Sequence, residues 1–375
     1  MNILLAGGGT AGHINPAIAI ANTIKAHDPS SRIAFIGTSH GLENDLVKKA
    51  GYPIYRIEMT GLQRSLTLKN INTAYYYFTA PIKAKKLLRD FKPDIVLGTG
   101  GYLSWPLLKA AHSLGIASAI HESNAIPGKA VLMLADKVNR IYLNFTSAKD
   151  HFKDQSKIKI VGNPLIESSI ATSGDDIRAE LDIPLGTKTT VLSFGGSLGA
   201  ERLTHSIISV ANELKAERND VFFIHSAGKN KYDNAIKEAS TLGNDSADNI
   251  RIMRYIYNMP DCESIADIII CRAGAMTISE LAQMGKAAII VPSPYVANNH
   301  QYENAKRLSD ANAAIMIEEK EFTPERLKAE LLSLINDDKK RKCLCENIRK
   351  FAFPQAKERI YNDLVDIIRL SKAGS

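Results

Sequence analysis

Short apolar runs alternate with longer amphipathic stretches along the first half of the chain. Six such runs, most of them apolar almost without interruption, fall at residues 2–6, 32–36, 54–57, 94–97, 117–120 and 159–161. Strands of a parallel sheet have this pattern because helices cover both of their faces. The first half is therefore predicted to form a doubly wound parallel α/β sheet.

The pattern restarts after a break that is rich in turn-forming residues. Further apolar runs fall at residues 189–194, 221–224, 250–253, 268–270 and 288–291. The break lies between Gly162-Asn163-Pro164 and Pro184-Leu185-Gly186, where turn formers cluster. We predict two Rossmann-like domains, residues 1–163 and 164–350, facing a central cleft. Residues 351–375 contain an amphipathic helix over 355–371, which we expect to pack back on the first domain.

Composition limits the classes of protein to consider. No apolar run reaches the roughly 18 residues that span a bilayer, and the start leads directly into a strand without a basic leader. We therefore expect the protein on the cytosolic side of the membrane. None of the four cysteines forms a C-x-x-C pair, so we expect reduced thiols and no zinc site.

Charge is unevenly divided between the two halves. Residues 1–163 hold 20 Lys and Arg against 10 Asp and Glu, and the remainder holds 27 against 30. The basic half indicates an anionic partner, either nucleic acid or an anionic membrane face. A solvated surface is the alternative. Zinc, helix-turn-helix and aromatic RNA-binding signatures are missing, which disfavours nucleic acid.

The first strand leads into a glycine-rich turn with dinucleotide-like spacing. Gly7, Gly9 and Gly12 satisfy G-x-G-x-x-G. A dinucleotide fold also needs an acid at the end of its second strand for the ribose. Residues 37–39 at that place are Gly, Thr and Ser. The sequence therefore disfavours a dehydrogenase.

Two more glycine turns follow predicted strands, in VLGTGGYLSWP and VLSFGGSLGAERL. Such turns offer backbone N–H groups and helix N-termini to anions, although glycine also serves simply to make tight turns. Three of them, divided between two domains, predict a ligand with several phosphates.

The segment CRAGAMTISE offers a further phosphate and ribose site. Gly274 begins a predicted helix, and Glu280 supplies a carboxylate that suits a ribose diol. The alternative is that Glu280 is a solvated residue on the surface of that helix. Downstream, Asn299, Gln301 and Asn304 carry amides that suit sugar hydroxyls. Amides at such a junction are also common helix caps.

Several motifs occur in one order across nearly the whole chain. They are GGTAGH (8–13), GGY (100–102), HESNAIPG (121–128), VGNP (161–164), GGS (195–197), CRAGAMTISE (271–280) and HQ (300–301). Together they resemble the MurG family of peptidoglycan N-acetylglucosaminyltransferases, which have the GT-B fold. The resemblance implies transfer of N-acetylglucosamine from UDP-N-acetylglucosamine to the 4-hydroxyl of N-acetylmuramyl-pentapeptide on lipid I. The product is lipid II, and the anomeric carbon is inverted.

In that family the C-terminal domain holds the nucleotide sugar and the N-terminal domain receives the acceptor. The resemblance implies donor contacts at Thr10, Ala11, Gly12, Asn124, Ser197, Ile256, Ala275, Met276, Thr277, Ile278, Ser279, Glu280 and Gln301. It implies acceptor contacts at Gly100, Gly101 and Tyr102.

The chain departs from the family pattern at four places. Leu165-Ile166 occupy the place where many members carry an arginine, and Leu198 occupies the place of a usual Gln. Ala11-Gly12 replace a usual Gly-Gly pair, and Tyr257-Asn258 replace a common acidic pair. The departures imply altered donor contacts with the phosphate-binding backbone kept.

An inverting transfer needs a base for the incoming hydroxyl and stabilisation of the departing diphosphate. His13 is the first candidate for the base, because histidine exchanges protons near neutral pH. Its alternative role is to orient the loop or to hydrogen-bond the substrate. Glu122 is the second candidate, and the alternative for its HESNAIPG motif is structural turn chemistry. The helix that starts near Gly274 is expected to stabilise the leaving group. The sequence has no D-x-D motif, so we expect no metal and no cofactor.

The stretch from residue 64 to residue 92 interleaves apolar and basic side chains. They are Leu66, Leu68, Ile71, Tyr75, Tyr76 and Phe78 with Lys69, Lys83, Lys85, Lys86 and Arg89. The pattern favours docking on an anionic phospholipid surface, peripherally, on the cytoplasmic side of the cell membrane. A core helix with a solvated basic face is the alternative, and Trp105 is either part of the apolar surface or core. Another GT-B UDP-sugar enzyme, a glycolipid synthase or a UDP-N-acetylglucosamine epimerase, is the rival function.

Overall fold

The computed structural model describes residues 1–61, 69–166, 173–196, 199–242 and 249–373. It divides the chain into two compact units. Unit one comprises Met1–Glu167 with Phe353–Ser375, and unit two comprises Ser168–Ala352. The divisions stand at 167/168 and 352/353, against 163/164 and 350/351 expected from the sequence.

Within the described residues, unit one contains a seven-stranded parallel sheet in the order β3-β2-β1-β4-β5-β6-β7. The strands are β1 (Asn2–Ala6), β2 (Arg32–Gly37), β3 (Ile54–Arg56), β4 (Ile95–Gly98), β5 (Ser118–Glu122), β6 (Arg140–Leu143) and β7 (Ile158–Ile160). Its first five helices are α1 (Ala11–His27), α2 (Glu43–Lys49), α3 (Lys69–Phe91), α4 (Ser104–Ser113) and α5 (Lys129–Leu134), with 3₁₀ turns at Ala135–Lys137 and Thr146–His151. The sequence pattern missed β6, a four-residue strand that starts with a charged residue.

Alternate strand residues in unit one point to opposite faces of the sheet, and both faces are covered. Leu4 and Val96 pack with residues of α3, α4 and α5. Ile3, Leu5 and Phe35 pack with residues of α1 on the other face. Burial on both faces explains why these strands are apolar without alternation.

The part of unit two that the structure describes contains a six-stranded parallel sheet in the order β10-β9-β8-β11-β12-β13. The strands are β8 (Thr189–Phe194), β9 (Val221–Ser226), β10 (Ile250–Met253), β11 (Ile268–Cys271), β12 (Ala287–Ile290) and β13 (Ile315–Met316). The helices are α6 (Gly174–Glu180), α7 (Glu201–Glu217), α8 (Tyr232–Thr241), α9 (Met259–Ile265), α10 (Ala275–Met284), α11 (His300–Asp310), α12 (Pro324–Asn336) and α13 (Asp338–Arg349), with a 3₁₀ turn at Ala297–Asn299. The two-residue strand β13 was also missed by the sequence pattern. The fold class, two Rossmann-like parallel α/β domains, is confirmed.

The last helix, α14 (Ala356–Ala373), belongs to unit one and packs on α1. Ile360 and Leu364 join the apolar core beneath α1. Beside them Asp363 is buried, and it accepts hydrogen bonds from Arg140 Nε and Tyr142 Oη, both at 2.8 Å. Lys159 also pairs with Asp363. These contacts hold α14 against β6 and β7.

The strand orders place the glycine turns next to one another within each unit. In unit one β1 and β4 are neighbours, so the turns that follow them meet at the carboxyl edge of the sheet. In unit two β8 and β11 are neighbours. This edge is where open α/β sheets bind ligands. Over the described ranges, no helix is long and apolar enough to cross a membrane.

Candidate active site

The turn between β1 and α1 brings the helix N-terminus very close to the sheet. A Cβ on Gly7 would lie 2.3 Å from the carbonyl oxygen of His13 and 2.5 Å from Thr99 Oγ1. Thr99 Oγ1 donates a hydrogen bond of 2.6 Å to that carbonyl. Because the first N–H groups of a helix lack intrahelical acceptors, those of Ala11 and Gly12 are available to an anion.

His13 lies between this turn and the turn after β4. Its Nδ1 is 3.2 Å from the carbonyl oxygen of Gly8 and 3.3 Å from Thr10 Oγ1. With the proton on Nδ1 donated to the Gly8 carbonyl, Nε2 carries the free lone pair that a base requires. Gly100 has φ +99°, and a Cβ there would be 2.7 Å from His13 Cδ2. Position 100 therefore has to be glycine if the His13 imidazole is to stay where it is.

Tyr102 closes the same group of residues. Its ring contacts Gly9, where a Cβ would lie 3.0 Å from Cε1, and Gly61. Burial raises the pKa of the Tyr102 phenol, and the charges of Glu43 and Glu58 act in the same direction. The structure thus brings together the predicted residues Thr10, Ala11, Gly12, His13, Gly100, Gly101 and Tyr102.

Glu122 organises its own loop. Oε1 accepts hydrogen bonds from the backbone N and Nδ2 of Asn124, at 2.9 and 3.0 Å. Oε2 accepts one from the backbone N of Gly128, the N-cap residue of α5, at 2.8 Å. Both oxygens are therefore committed to the loop, which favours a positioning role for Glu122 and leaves His13 as the better candidate for the base.

His121, beside Glu122, was not assigned a role from the sequence. It is fully buried, and its Nε2 lies 3.0 Å from the carbonyl oxygen of Gly162. Burial is the main cause that lowers its pKa to about 4. The His121 ring is therefore neutral, and its contact with the backbone at Gly162, shortly after β7, is structural.

Unit two has a cavity of about 630 Å³ at the carboxyl edge of its sheet. This volume suits a nucleotide-sized ligand. Its lining residues come from the segments after β8, β11, β12 and β13 and from the starts of α7, α8, α10 and α11: Phe194, Gly195, Gly196, Gly199, Ala200, Glu201, Arg202, Lys231, Arg272, Gly274, Thr277, Ser293, Tyr295, Gln301 and Glu319. Gln301 Oε1 accepts a hydrogen bond from the backbone N of Ser293 at 2.9 Å. Ser197, a predicted donor residue, lies outside the described residues.

The predicted donor residues of α10 divide into two groups. Ala275, Ile278 and Ser279 are buried, as is Ile256 before α9. These four can offer a ligand their backbone and little side chain. Met276, Thr277 and Glu280 are partly exposed.

Glu280 and Glu263 are two acidic residues of unit two that lie close enough for the charge of one to affect the other. Burial raises the pKa of Glu280 to about 7. Burial, with the charge of Glu280 second, raises the pKa of Glu263 to about 8. Glu263 Oε1 is buried and has no hydrogen-bond partner among the described residues. No sequence pattern marks Glu263, because its burial depends on the packing of α9. In the residues that the structure describes, no cluster of three His, Cys, Asp or Glu could hold a metal ion.

Family comparisons identify the class of protein that has this fold and these turns. The glycosyltransferase family 28 N-terminal domain matches residues 3–143, and the family 28 C-terminal domain matches residues 190–360. The protein is therefore a glycosyltransferase. A UDP-N-acetylglucosamine--N-acetylmuramyl-(pentapeptide) pyrophosphoryl-undecaprenol N-acetylglucosamine transferase from Acetivibrio thermocellus is 38% identical over 376 residues, covering 100% of both chains. The chain belongs to this family, the MurG N-acetylglucosaminyltransferases.

Solved structures agree with that assignment. The crystal structure of Acinetobacter baumannii MurG matches with a TM-score of 0.75 and 27% identity, over 97% of this chain and 99% of that chain. A putative UDP-N-acetylglucosamine 2-epimerase from Listeria monocytogenes matches with a TM-score of 0.70 and 14% identity, over 96% and 94%. The second likeness shows the fold alone.

Proposed function

We propose that the protein transfers N-acetylglucosamine from UDP-N-acetylglucosamine to the 4-hydroxyl of the N-acetylmuramyl-pentapeptide on lipid I, forming lipid II with inversion. The full-length relationship to transferases of that name supports the substrates. The observation that carries the chemistry is the unit-two cavity, which a glycine turn and a helix N-terminus line together. Both features present backbone N–H groups to phosphates.

The proposed donor site uses the whole of that cavity. The turn at Gly195–Gly199 and the first turn of α10 bind the diphosphate, and the α10 dipole stabilises the departing UDP. Glu280 accepts hydrogen bonds from the ribose hydroxyls, and Gln301 contacts the sugar. The donor contacts of Thr10, Ala11, Gly12, Asn124 and Ser197 stay predictions from the family resemblance.

The proposed base is His13. Its Nε2 accepts the proton of the 4-hydroxyl as the oxygen attacks the anomeric carbon from the face opposite the diphosphate. One displacement of this kind inverts the anomeric centre. Gly100, Gly101 and Tyr102 form the acceptor side of this site, and Gly100 and Gly101 lie directly against the imidazole.

We further propose that unit one docks on an anionic phospholipid surface, as a peripheral protein on the cytoplasmic side of the cell membrane. Tyr75, Phe78 and Ile82 are 61–69% exposed, and their spacing places them on one face of α3. Lys83, directly after Ile82, and Lys86, one turn beyond Ile82, are also exposed. Leu66 and Leu68 lie outside the described residues.

Trp105 takes no part in this surface. It is 6% exposed and stacks on Tyr77, with ring centroids 4.9 Å apart. Lys109 Nζ lies over both rings, at 5.3 Å from Tyr77 and 4.9 Å from Trp105. Trp105 belongs to the core between α3 and α4.

The transferase reaction is tested by product analysis. UDP release from UDP-N-acetylglucosamine should require a lipid I analogue, whereas free N-acetylmannosamine without acceptor would indicate an epimerase. His13→Ala should lower kcat by roughly 10²–10⁴. His151→Ala, an exposed histidine of the same unit, is the control. Near-normal turnover of the His13 variant would show that His13 is not the base.

Docking is tested with vesicles. Phe78→Ser with Ile82→Ser should weaken binding to anionic vesicles, and Lys83→Gln with Lys86→Gln should weaken it most at low salt. Lys48→Gln with Lys49→Gln on α2 is the control for charge, since both lysines are exposed in the same unit. Equal loss in the control pair would show that net charge alone, and not α3, determines binding.

A further inference from the structure

The unit-two cavity is lined by three cations and two carboxylates. The cations are Arg202, Lys231 and Arg272, and the carboxylates are Glu201 and Glu319. The attraction of this cavity for an anionic ligand depends on how these charges are already paired, because a cation that faces a carboxylate is largely neutralised.

Two of the three cations are paired within the protein. Lys231 pairs with Glu201. Arg272 pairs with Glu319, where both side chains are mostly buried, and its Nη1 also donates to the carbonyl of Val291 at 3.1 Å. Neither cation adds a net positive charge to the cavity.

Arg202 is held differently. Its Nε donates to the carbonyl oxygen of Phe322 at 3.0 Å, and its Nη2 donates to that of Lys320 at 3.4 Å. Among the described residues, no carboxylate lies within ion-pair distance of it. Carbonyl oxygens fix the guanidinium but leave its charge uncompensated, and N–H groups remain for a ligand, since arginine has five.

We propose that Arg202 binds the diphosphate of the nucleotide sugar and stabilises it as the sugar leaves; this rests on the proposed transferase function. A guanidinium suits this task because its planar N–H groups match phosphate oxygens in pairs. Arg202 is the second residue of α7, directly after the glycine turn that the diphosphate is proposed to occupy. The two carbonyls restrict its side chain before the ligand arrives, so little rotamer entropy is lost on binding.

The experiment compares UDP with uridine, which lacks the phosphates, by titration calorimetry or competition. Arg202→Gln should weaken UDP binding roughly 10- to 100-fold and leave uridine binding unchanged. The amide can still donate to a carbonyl, so the loop at 320–322 keeps a partner. Arg307→Gln, an exposed arginine of the same unit, controls for net charge and should leave both affinities unchanged.

The possible outcomes separate this inference from the proposed function. Equal weakening of UDP and uridine would make Arg202 a structural clamp on the loop, and no weakening would also overturn the inference. If the Gln variant does not fold, Arg202→Lys decides: a selective severalfold loss for UDP supports the inference, and unchanged affinity refutes it. Failure of the wild-type protein to bind UDP would instead refute the proposed function.

Discussion

The burial of Glu263 leads us to predict an unusual dependence of the free energy of unfolding on pH. The side chain is 3% exposed near the end of α9, and in the part of the chain that the structure describes its Oε1 has no hydrogen-bond partner. Burial, then the charge of Glu280, raises its pKa from the ordinary 4.5 to about 8, and Lys286 acts in the opposite direction. Lys286 itself donates to the carbonyls of Ser264 and Ala266, both at 2.8 Å.

The sign follows from proton binding. Between pH 4.5 and about 8 the folded protein binds a proton at Glu263 that the unfolded chain does not. The contribution of this group to stability is therefore complete below pH 4.5 and is lost as the pH rises through about 8. At about 1.4 kcal/mol per pH unit, wild type should lose roughly 3 kcal/mol from this group between about pH 6 and 9.

Glu263→Gln keeps the shape of the side chain and cannot ionise. Its stability relative to wild type, from urea unfolding midpoints at pH 6, 7, 8 and 9, should rise by roughly 3 kcal/mol across that range. Exposed Glu346→Gln in the same unit should change stability by less than about 0.5 kcal/mol. A difference between Glu263→Gln and wild type that stays constant from pH 6 to 9 would refute the reasoning.

Three further predictions concern unit one. Asp363→Ala should cost roughly 3–5 kcal/mol in urea unfolding, because it leaves the partly buried Arg140 without its carboxylate. Trp105→Ala should cost roughly 3–5 kcal/mol as a core substitution while vesicle binding stays at the wild-type level; selective loss of vesicle binding would return Trp105 to the docking surface. Gly100→Ala should lower kcat at least about tenfold, because its Cβ displaces His13; steady-state kinetics at saturating donor measure this, and unchanged kcat would contradict the proposed place of the imidazole.

The sequence predicted the features that depend on local pattern. The long apolar strands of both sheets follow from burial on two faces, and the glycine turns follow from their position after strands. The pattern failed for Arg140–Leu143 and Ile315–Met316, which are short strands at or near sheet edges. Their few residues carry too little periodicity, and only pairing with a neighbouring strand defines them.

The chemistry of individual acids was less accessible from the sequence. Glu122 stood in a recognisable motif, yet its hydrogen bonds to Asn124 and Gly128 show a loop-organising carboxylate. Only its burial distinguishes Glu263 from other acidic residues. Asp363 is distinguished by hydrogen-bond partners more than 200 positions away in the chain, such as Arg140. A carboxylate's role is determined by its solvation and its partners, and both come from tertiary packing.

The two turns that we propose to bind phosphate share one arrangement, in which a side-chain hydrogen bond from the sheet holds the helix that follows the turn. In unit one, Thr99 anchors the start of α1 through the His13 carbonyl. In unit two, buried His225 bridges Ser193 of β8 and Thr204 of α7, at 2.8 and 3.0 Å, and burial lowers its pKa to about 4, so the bridge is neutral. The first N–H groups of both helices lack intrahelical acceptors and can bind a phosphate, and the contacts with the sheet hold those groups in a fixed position.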